Sequence, residues 1–264
     1  MKSWQKYVAE LLGTYILVFI GSLAILGSGG SALRIEIAFG FGIALLAGLY
    51  AFGEVSGGHF NPIVSLGMFL DRRLTALDTI WYWIAQFVGA ILASLTILVI
   101  YADRDAVKAT ATRSSSDARG FFLELICSAI FVAVILQVTR SDRYGPSALL
   151  AIPFTLFVIH IGLIPFTGSS VNPARTLGPD LVGATAWNDI WIYLLAPPAG
   201  AIVGWAAHMV TVRGDTALRD DLMRAAGDMR RVELDQLRQG PGQVPPPPPP
   251  SAPDKPPAAG PGQP

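Results

Sequence analysis

The sequence predicts an all-α integral membrane protein, with six transmembrane helices and two opposed half-helices arranged as an inverted repeat. Three observations lead to this fold class. Hydrophobic residues make up 52% of the 264-residue chain and charged residues only 14%, whereas soluble domains carry roughly 25% charge. Six apolar stretches are long enough to cross a bilayer. Two shorter apolar stretches each begin with an Asn-Pro dipeptide.

The six long stretches match the length of about 20 apolar residues that a helix needs to cross the hydrocarbon core. They lie at residues 5–27, 34–53, 78–101, 120–139, 147–165 and 188–211. The short stretches at 62–70 and 173–182 would reach only about 13–15 Å as helices, at about 1.5 Å per residue. Each therefore ends near the middle of a hydrocarbon core about 30 Å thick.

The dipeptides Asn61-Pro62 and Asn172-Pro173 predict where the two half-helices begin. Asn is a preferred N-cap, and Pro is favoured at the first helical position, where its missing N–H costs nothing. A helix start at membrane depth is costly unless it lines a polar path. The pair therefore indicates a polar path through the protein.

Lysine and arginine residues near the span ends predict that both termini are cytoplasmic. The basic loop at 102–119 is an exception, because it lies on the other side of a six-span protein. Three spans separate the half-helices, so they enter from opposite sides and their N-termini meet near the midplane. Such inverted repeats are a transport architecture. We expect a membrane domain at 1–212, with repeats at about 5–101 and 120–211.

Two glutamates occupy matching places in the repeats. Glu10 lies 51 residues before Asn61, and Glu124 lies 48 residues before Asn172. The two acids could relay protons in a coupled transporter, or they could accept hydrogen bonds from the irregular backbone that leads into each half-helix. The presence of one acid in each repeat favours the second interpretation.

The capping asparagines suggest how such a path would treat water. The side-chain oxygen of an N-cap accepts from the helix backbone, which leaves the NH₂ group as a donor. Two caps that face each other offer donors to one water, whose hydrogens must then point outward. The positive ends of both half-helices also oppose cations, protons included.

Two stretches carry a family resemblance: Ser-Gly-Gly-His-Phe-Asn-Pro-Ile-Val-Ser-Leu-Gly at 56–67 and Ser-Val-Asn-Pro-Ala-Arg-Thr-Leu-Gly-Pro-Asp at 170–180. Ala9-Glu10 and Phe41-Gly42 also fit. The chain resembles the major intrinsic protein family, the aquaporins and glycerol facilitators, over about residues 5–211. The resemblance implies a passive channel in the cell membrane that forms homotetramers, each protomer with its own pore. It also implies that the glutamates support the backbone.

The resemblance implies two groups of pore residues. The doubled motif consists of Asn61, Pro62, Ile63, Asn172, Pro173 and Ala174. The family's narrowest point is carried over by spacing from each motif Asn onto Phe41, His160, Ser169 and Arg175. Phe, His and Arg together resemble the water-selective branch, whereas glycerol channels usually have a smaller residue at the His160 position and another aromatic residue near Ser169.

Arg175 and His160 also stand out on physical grounds. Arg175 is the third residue of a predicted helix, where the helix dipole opposes a cation by roughly 0.3–1 kcal/mol. A permanent charge at membrane depth should be held by carbonyl groups and repel cations. An ionisable His160 inside a span is a functional candidate for the same reason. Phe41 alone would be an ordinary packing residue.

Several positions depart from the water-channel pattern. Ile63 replaces the usual Ala of the first motif, and we expect its larger side chain to repack the midplane and narrow or reorient the lumen. Glu54 stands where water channels often have His, near one mouth. Asp180 stands where glycerol channels tend to carry a basic residue, and Leu194 is less typical of water channels.

The sequence thus predicts a passive water channel that is driven by osmotic gradients and excludes protons and ions. The alternatives are a facilitator of small neutral solutes such as glycerol and, with less support, a proton-coupled transporter. We expect no enzyme, cofactor or metal site, because no nucleotide loop, metal-spaced cluster or nucleophile elbow occurs. The zero net charge argues against a nucleic-acid partner, which leaves water, small neutral solutes and membrane lipid.

The remaining features lie outside the spans or concern packing. Cys127 is the only cysteine, so no intrachain disulfide can form. Residues 213–240 are rich in charge, and both a cytoplasmic amphipathic helix and a disordered linker are compatible with their pattern. Residues 241–264 are Pro-rich, which predicts an extended and unpacked tail.

Overall fold

The computed structural model describes residues 3–29, 34–113, 117–140, 145–185 and 187–212. Within these ranges the chain forms α-helices joined by loops, and none of the described residues forms a β-strand. In chain order the helices are α1 (Ser3–Gly27), α2 (Arg34–Ser56), α3 (Pro62–Leu70), α4 (Ala76–Tyr101), α5 (Arg104–Ala109), α6 (Asp117–Val138), α7 (Gly145–Thr167), α8 (Pro173–Gly183) and α9 (Ile190–Val212).

Six of these helices, α1, α2, α4, α6, α7 and α9, are long and apolar enough to cross a membrane. The predicted six-span fold is therefore confirmed. Helix ends shift by a few residues where a cap lies outside the apolar run. The α4 helix begins at Ala76, two residues before the predicted start, because the Thr75 side chain accepts a hydrogen bond from the backbone N–H of Asp78.

The half-helices are α3, with nine residues, and α8, with eleven residues. At about 1.5 Å per residue they reach only about 13 and 16 Å, or roughly half of a bilayer core. Asn61 and Asn172 cap their N-termini, and a Pro opens the first turn of each. Both helix starts therefore follow from local sequence.

The short helix α5 lies in the connection between α4 and α6, where the sequence predicted only a loop. Its N-cap is Asp103, whose side chain accepts a hydrogen bond from the backbone N–H of Asp105. The α5 helix packs against α8 and α4. It therefore rests on the second half-helix.

Glycines allow the long helices of each repeat to pack closely. A Cβ atom at Gly89 in α4 would clash with the carbonyl oxygen of Leu11 in α1. A Cβ atom at Gly200 in α9 would clash in the same way with the carbonyl oxygen of Leu125 in α6. The same backbone contact thus holds α1 to α4 and α6 to α9, as small residues do in other membrane helices.

The predicted tail segments 213–240 and 241–264 lie outside the described residues. The predicted inverted repeat is visible in the helix contacts of the membrane domain. In the first repeat α1 packs against α2 and α4, and in the second α6 packs against α7 and α9. This equivalence places the two half-helix loops in matching environments.

Candidate functional site

The loop that leads into α3 is held by Glu10 of α1, which is fully buried. Its Oε1 atom accepts hydrogen bonds from Ser56 Oγ at 2.6 Å and from the backbone N–H of His59 at 2.9 Å. Its Oε2 atom accepts from the backbone N–H of Phe60 at 2.6 Å and from Gln86 Nε2 at 2.7 Å. These four donors compensate a buried carboxylate.

Glu124 of α6 holds the loop that leads into α8 in the same way. Its Oε1 atom accepts from Thr167 Oγ1 at 2.7 Å and from the backbone N–H of Ser170 at 2.9 Å. Its Oε2 atom accepts from the backbone N–H of Val171 at 2.8 Å. Both carboxylates therefore act on the irregular backbone before a half-helix, which is the second of the two interpretations.

The residues just before each capping Asn adopt a strained backbone. Phe60 has φ of 48° and Val171 has φ of 43°, in the left-handed region that residues other than Gly seldom occupy. Such a conformation costs roughly 1–2 kcal/mol per residue. The glutamates bind the N–H groups of these same two residues, so the carboxylates offset the strain.

The two capping asparagines join the repeats. Asn61 Nδ2 donates to the carbonyl oxygen of Val171 at 2.8 Å, and Asn172 Nδ2 donates to the carbonyl oxygen of Phe60 at 3.1 Å. Each amide nitrogen is therefore partly used in holding the opposite loop, which the sequence did not predict. A primary amide has two N–H bonds, and one of them ties each cap to the opposite loop.

The side-chain oxygens of the caps bind their own helices. Asn61 Oδ1 accepts from the backbone N–H of Ile63 at 3.1 Å. Asn172 Oδ1 accepts from the backbone N–H groups of Ala174 at 3.0 Å and Arg175 at 3.2 Å. Each amide thus has a fixed orientation, with its oxygen toward the helix and its nitrogen toward the opposite repeat.

A narrow cavity of about 20 Å³ lies beside the two caps. A cavity needs about 10–15 Å³ to hold one water, so only very small molecules fit. Both asparagines reach the wall, and much of the remaining surface is apolar. The lining residues are Leu17, Phe41, Leu45, His59, Asn61, Phe131, Leu156, His160, Ser170, Asn172 and Arg175.

The four predicted constriction residues lie together. The rings of Phe41 and His160 are 4.9 Å apart between centroids, at an angle of 67°. The guanidinium carbon of Arg175 lies 5.0 Å from the centre of the Phe41 ring. Ser169 Oγ makes a 2.9 Å hydrogen bond with His160 Nδ1. Ser169 does not itself line the described cavity. Its part in the constriction is the hydrogen bond to the His160 imidazole.

The Arg175 guanidinium is buried, and a backbone carbonyl holds it. Its Nη1 atom donates to the carbonyl oxygen of Thr110 at 2.9 Å. Its Nε atom has no hydrogen-bond acceptor among the described residues. The arginine is thus held at one end by a carbonyl group, and the residue also lines the cavity. Thr110, in the connection between α4 and α6, was not predicted from the sequence.

The other motif residues support the helix starts. The prolines and Ala174 are buried in the first turns of α3 and α8. Ile63 is fully buried within the hydrophobic core, and the described cavity wall does not include it. That core also contains the wall residues Leu17 and Phe131, so the effect of Ile63 on the lumen stays a prediction.

The sequence predictions missed most of the apolar wall, which nevertheless has a simple pattern. Leu17 and Phe131 each lie seven residues after a repeat's glutamate. Leu45 lies four residues after Phe41, and Leu156 lies four residues before His160. Helical residues four or seven apart share a face, so the predicted site residues could have located these four.

Comparisons with known proteins agree with this geometry. The model of the major intrinsic protein family matches residues 1–208. The chain belongs to the major intrinsic protein family. This chain is similar in structure to the aquaglyceroporin from Plasmodium falciparum, which was solved by X-ray crystallography. The TM-score is 0.72 and the sequence identity 25%, and the match covers 80% of this chain and 97% of the aquaglyceroporin chain.

Named relatives within the family fall on both sides of the division between water and glycerol. Glycerol uptake facilitator protein-like 6 of Lactiplantibacillus plantarum is 40% identical over 217 residues, which are 80% of this chain and 98% of the relative. Aquaporin Z of Brucella melitensis biotype 1 is 40% identical over 215 residues, or 76% and 94% of the two chains. The protein is thus a multi-pass membrane channel of this family, and identity to relatives does not choose between water and glycerol.

Proposed function

We propose that this channel passes water along osmotic gradients and excludes protons and ions. The observation that carries the proposal is the constriction of Phe41, His160 and Arg175 on a cavity of about 20 Å³. This volume is close to the roughly 10–15 Å³ that holds one water. A larger solute would have to displace the His160 ring, which Ser169 holds by a hydrogen bond.

The groups around the cavity favour a small neutral molecule. Arg175 lines the cavity and has more N–H donors than the one bound to Thr110, so its guanidinium can donate to the oxygen of a passing water. The apolar wall on the long helices offers that water few competing partners. A water molecule therefore forms and breaks few hydrogen bonds with the protein as it moves along the path.

Charge at the constriction opposes cations. The N-terminal ends of two half-helices and the buried Arg175 all place positive charge near the path. The remaining N–H bonds of Asn61 and Asn172 can both donate to one water, whose hydrogens then point away from the caps. This orientation interrupts a continuous proton path, as fixed donors and half-helix dipoles do in aquaporin-type channels.

A glycerol facilitator is the second candidate function. It is favoured by the relative named a glycerol uptake facilitator-like protein, which is as identical to this chain as the relative named aquaporin Z. A proton-coupled transporter has less support, because Glu10 and Glu124 accept hydrogen bonds from buried groups and do not line the described cavity.

Stopped-flow light scattering on proteoliposomes with the full chain tests the proposal. Under a sucrose gradient we expect shrinkage much faster than in empty liposomes, and under a glycerol gradient we expect no faster re-swelling than in empty liposomes. Glycerol entry as fast as water would overturn water selectivity in favour of the second function. Dissipation of an imposed pH gradient would contradict proton exclusion.

We further propose that both termini face the cytoplasm of a cell-membrane protein and that the channel is a homotetramer. The basic residues around the spans support the orientation, and family resemblance supports the assembly. Protease treatment of sealed vesicles should cleave the tail only in inside-out preparations. Native mass spectrometry should give four copies; a monomer would contradict the assembly.

A further inference from the structure

The connection between α4 and α6 contributes directly to the constriction. We define residues 102–113, which include helix α5, as the α5 segment. Its Thr110 is buried, and the carbonyl oxygen of Thr110 accepts the 2.9 Å hydrogen bond from Arg175 Nη1. The position of the Arg175 guanidinium therefore depends on where the α5 segment lies.

An ion pair ties the end of the α5 segment to α8. Arg113 Nη1 lies 2.9 Å from Asp180 Oδ1, and the Asp180 side chain is only 3% exposed. Asp180 Oδ1 also accepts a hydrogen bond from Thr185 Oγ1 at 2.6 Å, and Arg113 Nη1 also donates to the carbonyl oxygen of Thr112. The pair therefore fixes the segment's backbone as well as the two side chains.

A row of hydroxyl groups ties the same segment to the second capping loop. Thr112 Oγ1 donates to Thr176 Oγ1 at 3.0 Å, and Ser170 Oγ donates to the carbonyl oxygen of Asn172 at 2.9 Å. Thr176 and Ser170 lie 2.6 Å apart between hydroxyl oxygens. Because the Ser170 proton is used on Asn172, Thr176 is the donor between them.

We propose that Arg113 and Asp180 are positioning residues for selectivity. Their ion pair holds the α5 segment on α8, and the Thr110 carbonyl then holds Arg175 at the constriction. A buried guanidinium that loses an acceptor must find another. Release of the segment therefore moves Arg175 relative to Phe41 and His160 and widens the range of solutes that pass. The inference rests on the proposed filter role of Arg175.

Charge variants of the pair test the inference. The experiment measures, in proteoliposomes, permeability to water, urea, glycerol and a longer polyol for Asp180→Asn, Arg113→Gln and the double reversal R113D with D180R. We expect each single variant to raise solute-to-water permeability ratios about three- to tenfold, as the loss of a partly exposed ion pair permits. The double reversal should return the ratios to within about twofold of the native protein.

A matched control comes from the same segment. Lys108 and Asp105 form a 2.9 Å ion pair on the exposed side of α5, with side chains 46% and 79% exposed. The Lys108→Gln variant removes this ion pair, which includes no residue of α8. All solute-to-water permeability ratios should therefore stay unchanged. An equal effect of Lys108→Gln and Asp180→Asn would overturn the inference, because general loosening of the segment would then explain both.

Two further measurements separate positioning from stability and from the proposed function. Asp180→Asn should have no additional effect on the ratios in an Arg175→Val background, because the pair acts through Arg175; an additive effect would overturn the inference. Amide exchange of residues 103–113 should be faster in Asp180→Asn than in the native protein, and unchanged exchange would also overturn it. If water selectivity fails, the native protein itself will pass glycerol as fast as water. If the inference fails, the solute-to-water permeability ratios of the variants will equal those of the native protein for every solute.

Discussion

The two capping loops make the same backbone turn with different side chains around it. In both, a buried glutamate binds the N–H of a residue with positive φ, and a tyrosine hydroxyl binds the carbonyl of the residue five places before the capping Asn. Tyr82 donates to the Ser56 carbonyl and Tyr193 to the Thr167 carbonyl, each at 2.7 Å. The strained turn is therefore supported identically in both repeats.

The loops differ in what lies behind the turn. In the first repeat, Gln86 Nε2 donates to Glu10 and, at 2.9 Å, to Ser65 Oγ, which contacts His59 Nδ1 at 3.1 Å. In the second repeat, Pro197 lies at the place that corresponds to Gln86, 111 residues later as for the two Asn caps. There the polar contacts run outward, from Thr176 to the α5 segment.

This difference indicates a division between the repeats, with one network important for stability and the other for selectivity. The first network stays within its own repeat and does not contact Arg175, so changes in it should affect stability more than selectivity. The second network reaches the segment that holds Arg175, so changes in it should affect selectivity. The four predictions below test this division, beginning with the largest expected effect.

The glutamates should give the largest loss of stability. Glu10 accepts hydrogen bonds from four donors and Glu124 from three. A Glu→Gln substitution replaces one of the two acceptor oxygens by an NH₂ donor, so some of these donors lose their acceptor. Buried groups left without a partner cost about 1–3 kcal/mol each. We expect Glu10→Gln to lower thermal stability in detergent by at least about 3 kcal/mol, and more than Glu124→Gln. Exposed Glu36→Gln is the control, and an equal loss there would contradict the prediction.

Gln86→Leu should lower stability without changing selectivity. The substitution removes both Nε2 hydrogen bonds of a fully buried side chain in the first repeat. We expect a loss of about 2 kcal/mol in the free energy of unfolding. Thermal unfolding and the glycerol-to-water permeability ratio should be measured together. A changed ratio would break the division between the repeats.

Arg175→Val should change selectivity in the second repeat. The substitution removes the fixed charge and the guanidinium that lies 5.0 Å from the Phe41 ring. We expect glycerol permeability to rise about tenfold, which corresponds to about 1.4 kcal/mol of barrier, and proton leak to increase. Arg104→Val, at an exposed position on α5, is the control. Unchanged selectivity would count against the assigned constriction.

The paired tyrosines should give the smallest and most symmetric effect. Tyr82→Phe and Tyr193→Phe each remove one hydroxyl hydrogen bond to a loop carbonyl. We expect each to lower stability by about 1 kcal/mol, and the two losses to agree within about 0.5 kcal/mol. Thermal unfolding of the two variants checks this. A clear inequality would mean that the turns themselves are not equally supported.

Much of the fold followed from local features. Apolar length against bilayer thickness predicted the six spans, and Asn-Pro predicted the starts of α3 and α8, because an N-cap acts on the next residues in the chain. The α5 helix was missed, since its Asp103 cap precedes only six residues without an apolar stripe. The effect of Ile63 stays a prediction, because the motif does not state which way its side chain packs.

The sequence by itself determined the spans, the two half-helix starts and, through the family motif, where to look for the constriction. Only the tertiary structure decided that each cap donates to the opposite loop, that Thr110 holds Arg175 and that Arg113 meets Asp180. These contacts join residues 65 to 112 positions apart. Helical periodicity relates only residues a few turns apart. Contacts between distant segments depend instead on how the packed helices bring their loops together.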